Sequence, residues 1–241
     1  PQPAAPQRRR PEGAPLTIGG LLPKTGQLAG MYAPLAAGVH LAVKEINDAG
    51  GVLGEPVVFI DGDDGTDPEV ASGTVDRLLA AKVNVIIGAG ASGVTKAVLP
   101  KVTGAGVLMI SPSATSDELT SIEDDGLFFR TAPPDRLQAR ALADIVLRDG
   151  VRKIFMVVRD DSWGQGLYEN LRTQLTSAGV RGEDIKALTY QPGETAEDKP
   201  VLTGLVDQVK EFAPEGIVIL GFDESSHVIT TLIEGGVELL D

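Results

Sequence analysis

Short apolar runs rich in β-branched residues recur along this chain, each followed by a stretch with helical periodicity. The runs are residues 16–22 (LTIGGLL), 56–61 (PVVFID), 83–88 (VNVIIG), 107–111 (VLMIS), 153–158 (KIFMVV), 185–190 (IKALTY) and 216–221 (GIVILG). They are short and continuous rather than alternating, so they read as strands with both faces to bury. Between them, Leu35, Val39, Ala42, Val43 and Ile46 fall on one helical face, and Trp163, Leu167, Leu171 and Leu175 recur at steps of four. Strands buried on both faces and separated by helices predict parallel sheet covered on both sides, the doubly wound α/β class.

Punctuation in the sequence predicts how those elements are divided. Residues 1–15 carry five prolines and no apolar period, and read as a disordered Pro-rich tail. Arg8–Arg10 lead into proline and glycine rather than an apolar core, so the tail is not a signal peptide; one removed upstream stays open. The segment Phe128 to Asp135 breaks the rhythm, because Pro133 and Pro134 fit neither a helix interior nor a central strand. A crossover there gives a first α/β lobe over 16–132 and a second over 133–241, with Asp135 capping a helix that runs to about Leu147. The alternative is a long loop within one sheet. The second series stops after three strands, which predicts an incomplete second lobe and a truncated chain.

Composition removes several functions. With 34 acidic against 21 basic residues, the net charge of −13 repels phosphate backbones and anionic membranes, and no basic face offsets it. Nucleic acid is not an expected partner. Cysteine is absent, and the two histidines, His40 and His227, have no nucleophile or metal partner at motif spacing. Most hydrolase and metalloenzyme templates therefore fail, and no apolar run is long enough to span a bilayer.

In open parallel sheets, ligands bind beyond the carboxyl ends of the strands. There, Gly88-Ala89-Gly90-Ala91-Ser92-Gly93 matches G-x-G-x-x-G between a strand and a helix. The acidic residue a dinucleotide site needs is missing, since the next strand ends in Ser111-Pro112. A nucleotide-dependent enzyme is thus a minor alternative. What remains is a helix start suited to a carboxylate or phosphate, with Ser92 either in that site or capping its own helix. Ser111, Ser113, Thr115 and Ser116 could donate to a ligand carboxylate or serve the turn. The acid-rich stretch 61–67 lacks calcium-loop spacing, whereas Asp67, Pro68 and Glu69 form a helix start. Trp163, at a strand-to-helix junction, either packs under its helix or lines a cleft. After the last run stand Phe222 and Asp223, the latter either a helix cap or a partner for a cation.

Leu22-Pro23-Lys24-Thr25-Gly26, Ala42 to Asn47 running into Gly50-Gly51-Val52-Leu53-Gly54, Asp63-Asp64 with Asp67-Pro68, Ile87-Gly88 with Ser92, and Ser111 to Thr115 together resemble the type I periplasmic-binding fold. Within it they resemble the branched-chain amino acid (leucine/isoleucine/valine-type) receptors of ABC transporters, in one order from Leu16 to Asp241. The resemblance implies a two-lobed, non-catalytic trap, periplasmic or extracellular, that closes over an amino acid or related small amide and delivers it to a membrane permease. It implies that Ser92 and Thr115 bind the ligand carboxylate, that the Ser113 carbonyl accepts from its amine, and that Ala114 lies beside them. Trp163 would form the second-lobe aromatic wall, Met31 or Tyr32 would face the cleft, and Phe222 or Asp223 would add a further contact. An acidic residue for the amine would lie beyond this chain, with Asp223 as a substitute. The same fold also serves as the extracellular sensor of a receptor or kinase, which a retained spanning helix upstream would favour.

Overall fold

The computed structural model describes residues 14–193 and 202–239. Most of the Pro-rich tail (residues 1–13), residues 194 and 195 of the loop after the sixth run, and Asp241 lie outside the described residues.

Strands β1 (Thr17–Leu21), β2 (Val58–Ile60), β3 (Val85–Gly88), β4 (Leu108–Ser111) and β5 (Phe128–Arg130) form one parallel sheet in the order β2-β1-β3-β4-β5. Helices α1 (Tyr32–Asp48), α2 (Pro68–Ala80) and α3 (Ser92–Gly104) connect its first four strands. Val75 and Leu78 of α2 and Val98, Leu99 and Val102 of α3 close over Leu21, Ile86 and Met109 of the sheet. The start of α2 is built as its sequence predicts: the Asp67 carboxylate accepts from Glu69 N at 2.7 Å and Val70 N at 3.0 Å, with Pro68 at the first helical position. The predicted face of α1 is covered only in part. Ala36 is buried, Leu35, Val39, Val43 and Ile46 are half-buried and Ala42 is exposed, because α1 rests beside β2, a three-residue edge strand.

The chain then forms α4 (Asp135–Arg148), β6 (Ile154–Arg159), α5 (Ser162–Ser177), β7 (Ile185–Tyr190), α6 (Leu205–Phe212), β8 (Gly216–Leu220) and α7 (Ser225–Glu234). Its strands make a second parallel sheet in the order β7-β6-β8. All six residues of the central strand β6 are buried, and alternation assigns the first five to two cores. Ile154, Met156 and Val158 meet Leu167, Leu171 and Leu175 of α5; Phe155 and Val157 meet Leu205 and Val209 of α6 and Val228 and Leu232 of α7.

Two sequence expectations need correction. Phe128–Arg130 do not leave the sheet: they pair with Met109–Ser111 as the edge strand β5, and the prolines follow it. This strand is three residues long with Phe129 54% exposed, so it lacks the two-sided apolar run by which the others are recognised. The passage to the second sheet begins after it, and α4 packs on α5. Asp135 does not cap α4 either. Pro134 is the N-cap and Asp135 is the first helical residue, its N–H donating to Thr115 O at 2.9 Å.

In each sheet the chain reverses direction beside the first strand it lays down, between β1 and β3 and between β6 and β8. Crevices outside the carboxyl ends of strands form at such switch points. The loops after β1, β3, β6 and β8 therefore supply most of the site.

Candidate functional site

The turn after β3 owes its glycines to packing. Gly88 has φ +143°, and a Cβ there would lie 1.9 Å from Leu21 O, so only glycine lets the ends of β3 and β1 pass this closely. The N–H of Gly90 donates to Asp64 Oδ2 at 2.7 Å, while Asp64 Oδ1 accepts from Thr66 N at 2.7 Å. The G-x-G-x-x-G spacing thus joins two strand ends and binds a carboxylate of the same chain. Burial pushes the Asp64 carboxyl up to about 6, against the pull of the Gly90 and Thr66 N–H groups. Asp63 ties down the loop after β1, accepting from Lys24 N, Thr25 N and Gly65 N at 2.9, 3.1 and 2.8 Å. Burial opposes its ionisation, but the Thr25 hydroxyl and these N–H groups hold its carboxyl below the usual range. The acid-rich stretch is a clamp on two loops, and among the described residues no cluster of acidic or histidine side chains could hold a metal ion.

Ser92 does not cap α3. The N-cap is Ala91, which offers no side-chain acceptor, so the first-turn N–H groups of α3 are not satisfied by a cap. The buried Ser92 Oγ instead accepts from Thr115 N and Ser116 N, each at 3.1 Å, and ties the loop after β4 to the start of α3. Ser113 Oγ donates to Gly90 O at 2.7 Å, and Ser111 Oγ donates to Ala89 O at 2.7 Å while accepting from Ala114 N at 3.0 Å. These hydroxyls serve the turn and also bring the 113–115 segment beside Ser92.

The opposite wall comes from the second sheet. Asp161 caps α5, accepting from Gly164 N at 2.8 Å, and sets Trp163 at the helix start. The Trp163 ring lies 5.1 Å from that of Phe222, tilted by 37°. Behind Phe222, the Arg159 guanidinium stacks 4.0 Å from the ring centroid and pairs with Glu224 at 2.8 Å. Glu224 is buried, which alone would raise its carboxyl; donation from Tyr190 OH and Arg159 holds it below the usual range.

These walls line a cavity of about 200 Å³ that is open to solvent on one side. Ser92, Ser113 and Thr115 line one part of it, and Leu28, Met31, Trp163 and Phe222 supply apolar surface. It adjoins a larger cleft of about 640 Å³ that shares Ser92, Trp163 and Phe222 with it. Of the residues the sequence singled out, six meet here: Met31, Ser92, Ser113, Thr115, Trp163 and Phe222. Three do not line it. Tyr32 turns to Asp61, its hydroxyl donating to Oδ2 at 2.7 Å. Ala114 is fully buried in the first core. Asp223 is exposed at the rim, facing Gly30, and does not cap α7, whose N-cap is Glu224. The sequence reading missed Leu28 and Gln138, which line the cavity, and Gln27, Arg159 and Glu224, which are buried behind or beside it. Arg159 carries a legible signal, a basic residue ending an otherwise apolar strand; Leu28 and Gln138 carry none.

The model of the periplasmic binding protein family matches residues 15–239. A Leu/Ile/Val-binding protein homolog from Brucella melitensis is 29% identical over 94% of this chain and 60% of its own length. A chemotactic signal transduction substrate-binding protein, BasB of Halobacterium salinarum, is 31% identical over 92% of this chain and 54% of its own. The isoleucine complex of the branched-chain amino acid transporter substrate-binding protein LivJ from Streptococcus pneumoniae superposes with a TM-score of 0.77 at 25% identity, over 93% of this chain and 62% of that one. The chain thus spans less than two thirds of the length of these relatives, and no described helix is long and apolar enough to cross a membrane. A family model that runs across nearly all of the described residues, together with two parallel sheets opening a cleft at their switch points, places this chain in the periplasmic binding protein family.

Proposed function

We propose that this chain carries the ligand-capturing part of an extracytoplasmic solute receptor, with 16–132 and 133–241 acting as two lobes that trap an aliphatic amino acid for an ABC transporter. The observation that carries this reading is the uncapped start of α3 in a small cavity that is otherwise largely apolar. First-turn N–H groups favour an anion. Ser92 Oγ already accepts two N–H groups, so its own proton is the part left to donate to a carboxylate. Thr115 adds a second hydroxyl and the Ser113 carbonyl an acceptor for an amine, while Leu28, Met31, Trp163 and Phe222 cover an aliphatic side chain at about 25 cal/mol per Å² buried. A cavity of about 200 Å³ suits a ligand of amino acid size and lies below the roughly 300–1,000 Å³ of sites for drug-sized molecules. The Leu/Ile/Val-binding relatives and the isoleucine complex of LivJ support the same choice.

A second reading has one observation in its favour, the chemotactic system to which BasB belongs: the same capture would then report to a signalling partner instead of a permease. Thermal melting with leucine, isoleucine, valine, benzoate and NAD tests the capture step common to both. A ligand at a hundred times its dissociation constant stabilises by about 2.7 kcal/mol. Stabilisation by a branched-chain amino acid is the expected result; stabilisation by NAD alone would refute the receptor reading.

A further inference from the structure

Arg159 ends β6 with 4% of its surface exposed, and its donors point in three directions. Nε donates to Asp161, the cap of α5, and Nη1 to Glu224 Oε1 at 2.8 Å. Nη2 crosses to the first sheet and donates to Gln27 Oε1, on a side chain that is 5% exposed. Glu224 also accepts from Tyr190 OH at 2.7 Å and Phe222 N at 3.2 Å, so the carboxylate that holds Arg159 also holds the backbone of one of the cavity's two aromatic residues. The guanidinium face in turn lies against the Phe222 ring, at 4.0 Å from its centroid, and Phe222 leans on Trp163. On the other side, Gln27 immediately precedes Leu28 and lies four residues before Met31, both of which line the cavity.

We propose that Arg159 is a positioning residue for ligand capture: it seats the Phe222 and Trp163 wall on one lobe and, through Gln27, latches that wall against the Leu28 to Met31 loop of the other. This rests on the reading of the cavity as the ligand site. Within the second lobe, Arg159 is already paired with two carboxylates, so the bond to Gln27 adds little to the folding of that lobe. Its effect falls on the arrangement of the lobes. When they part, Gln27 and Nη2 both regain water; when they meet, both are buried, and a missing acceptor would leave a charged donor buried and unpaired. The latch therefore favours the closed arrangement and slows escape of whatever is enclosed, while entry from the open form is unaffected.

Gln27→Met removes the acceptor at nearly constant volume, and Gln27→Asn withdraws it by one methylene; either variant suffices if the other does not fold. Small-angle scattering and Trp163 emission of the 241-residue chain without added ligand are the first readouts. Both variants should show a larger radius of gyration and red-shifted emission, with a melting temperature close to wild type. Stopped-flow with leucine is the second readout, where dissociation should quicken about tenfold or more, the ratio expected for losing a bond to a charged group, while association does not slow, because parted lobes admit ligand. Unchanged scattering and emission in a folded variant would overturn the latch. If the wild-type chain ignores leucine, isoleucine and valine, the assignment of the ligand fails, and the scattering comparison still decides the latch. A variant that lowers the melting temperature and slows association instead would assign Gln27 to ordinary packing.

Discussion

Replacing Ser92 with alanine takes an acceptor from Thr115 N and Ser116 N as well as a donor from the cavity. One part-buried and one buried N–H group left without a partner cost about 1–3 kcal/mol each at most, more than the ~1 kcal/mol of a lost helix cap. Ser92→Ala should therefore lower stability in a urea melt by about 2 kcal/mol and weaken leucine binding tenfold or more. A loss of stability with unchanged affinity would confine Ser92 to the fold. Asp64 offers a test by pH. Its folded-state value of about 6 lies above the usual carboxylate range, so the folded chain holds a proton that the unfolded chain has already released. The stability from this group is fully present below about pH 4 and is lost as pH rises through about 6, a change of up to about 3 kcal/mol. The stability difference between wild type and Asp64→Asn should shift by that order, in favour of wild type, between pH 7.5 and pH 4.5. A difference that does not vary with pH would remove the buried titration.

Two helical glycines separate intrinsic helix propensity from packing. Gly73 lies inside α2 with no heavy atom within 4 Å of where a Cβ would stand. Gly73→Ala should stabilise by about 0.5–1 kcal/mol, the helix propensity difference. Gly164 lies in the first turn of α5, where a Cβ would meet Arg159 O at 2.1 Å. There the same propensity gain is outweighed by overpacking of about 1–3 kcal/mol, and displacing that turn moves Trp163. Gly164→Ala should destabilise in a thermal melt and alter Trp163 emission. Equal effects of the two substitutions would mean that propensity alone governs both helices.

At the scale of the whole molecule, the two sheets meet through side chains from both. Besides Arg159 and Gln27, Asn170 Nδ2 of α5 donates to Asp117 Oδ2 at 2.7 Å. Trp163 stands between them, half-buried, and is the only tryptophan in the sequence. In the Gln27→Met variant, where the lobes start parted, a ligand that draws them together should remove water from this indole and shift its emission to the blue. Emission unmoved at saturating leucine, with binding established by calorimetry, would make Trp163 ordinary packing over Phe222. The test is clean because a single fluorophore reports on a single place.

The sequence by itself determined the α/β class, the parallel strands from β1 to β4 and from β6 to β8, and the start of α2 at Asp67. Each of these depends on local chemistry: an apolar run must be covered on both faces, and a cap must lie next to the turn it satisfies. It also brought forward Ser92, Ser113, Thr115, Trp163 and Phe222, because loops at the carboxyl ends of parallel strands must converge. The edge strand β5 escaped, since a three-residue strand with an exposed phenylalanine carries too little pattern. Only the tertiary structure decided that Asp64 occupies the Gly90 N–H, that Met31 rather than Tyr32 lines the cavity, and that Arg159 reaches Gln27. These are pairings between residues 26, 29 and 132 positions apart, and which partner a buried polar group finds at such separations depends on how the two sheets come together.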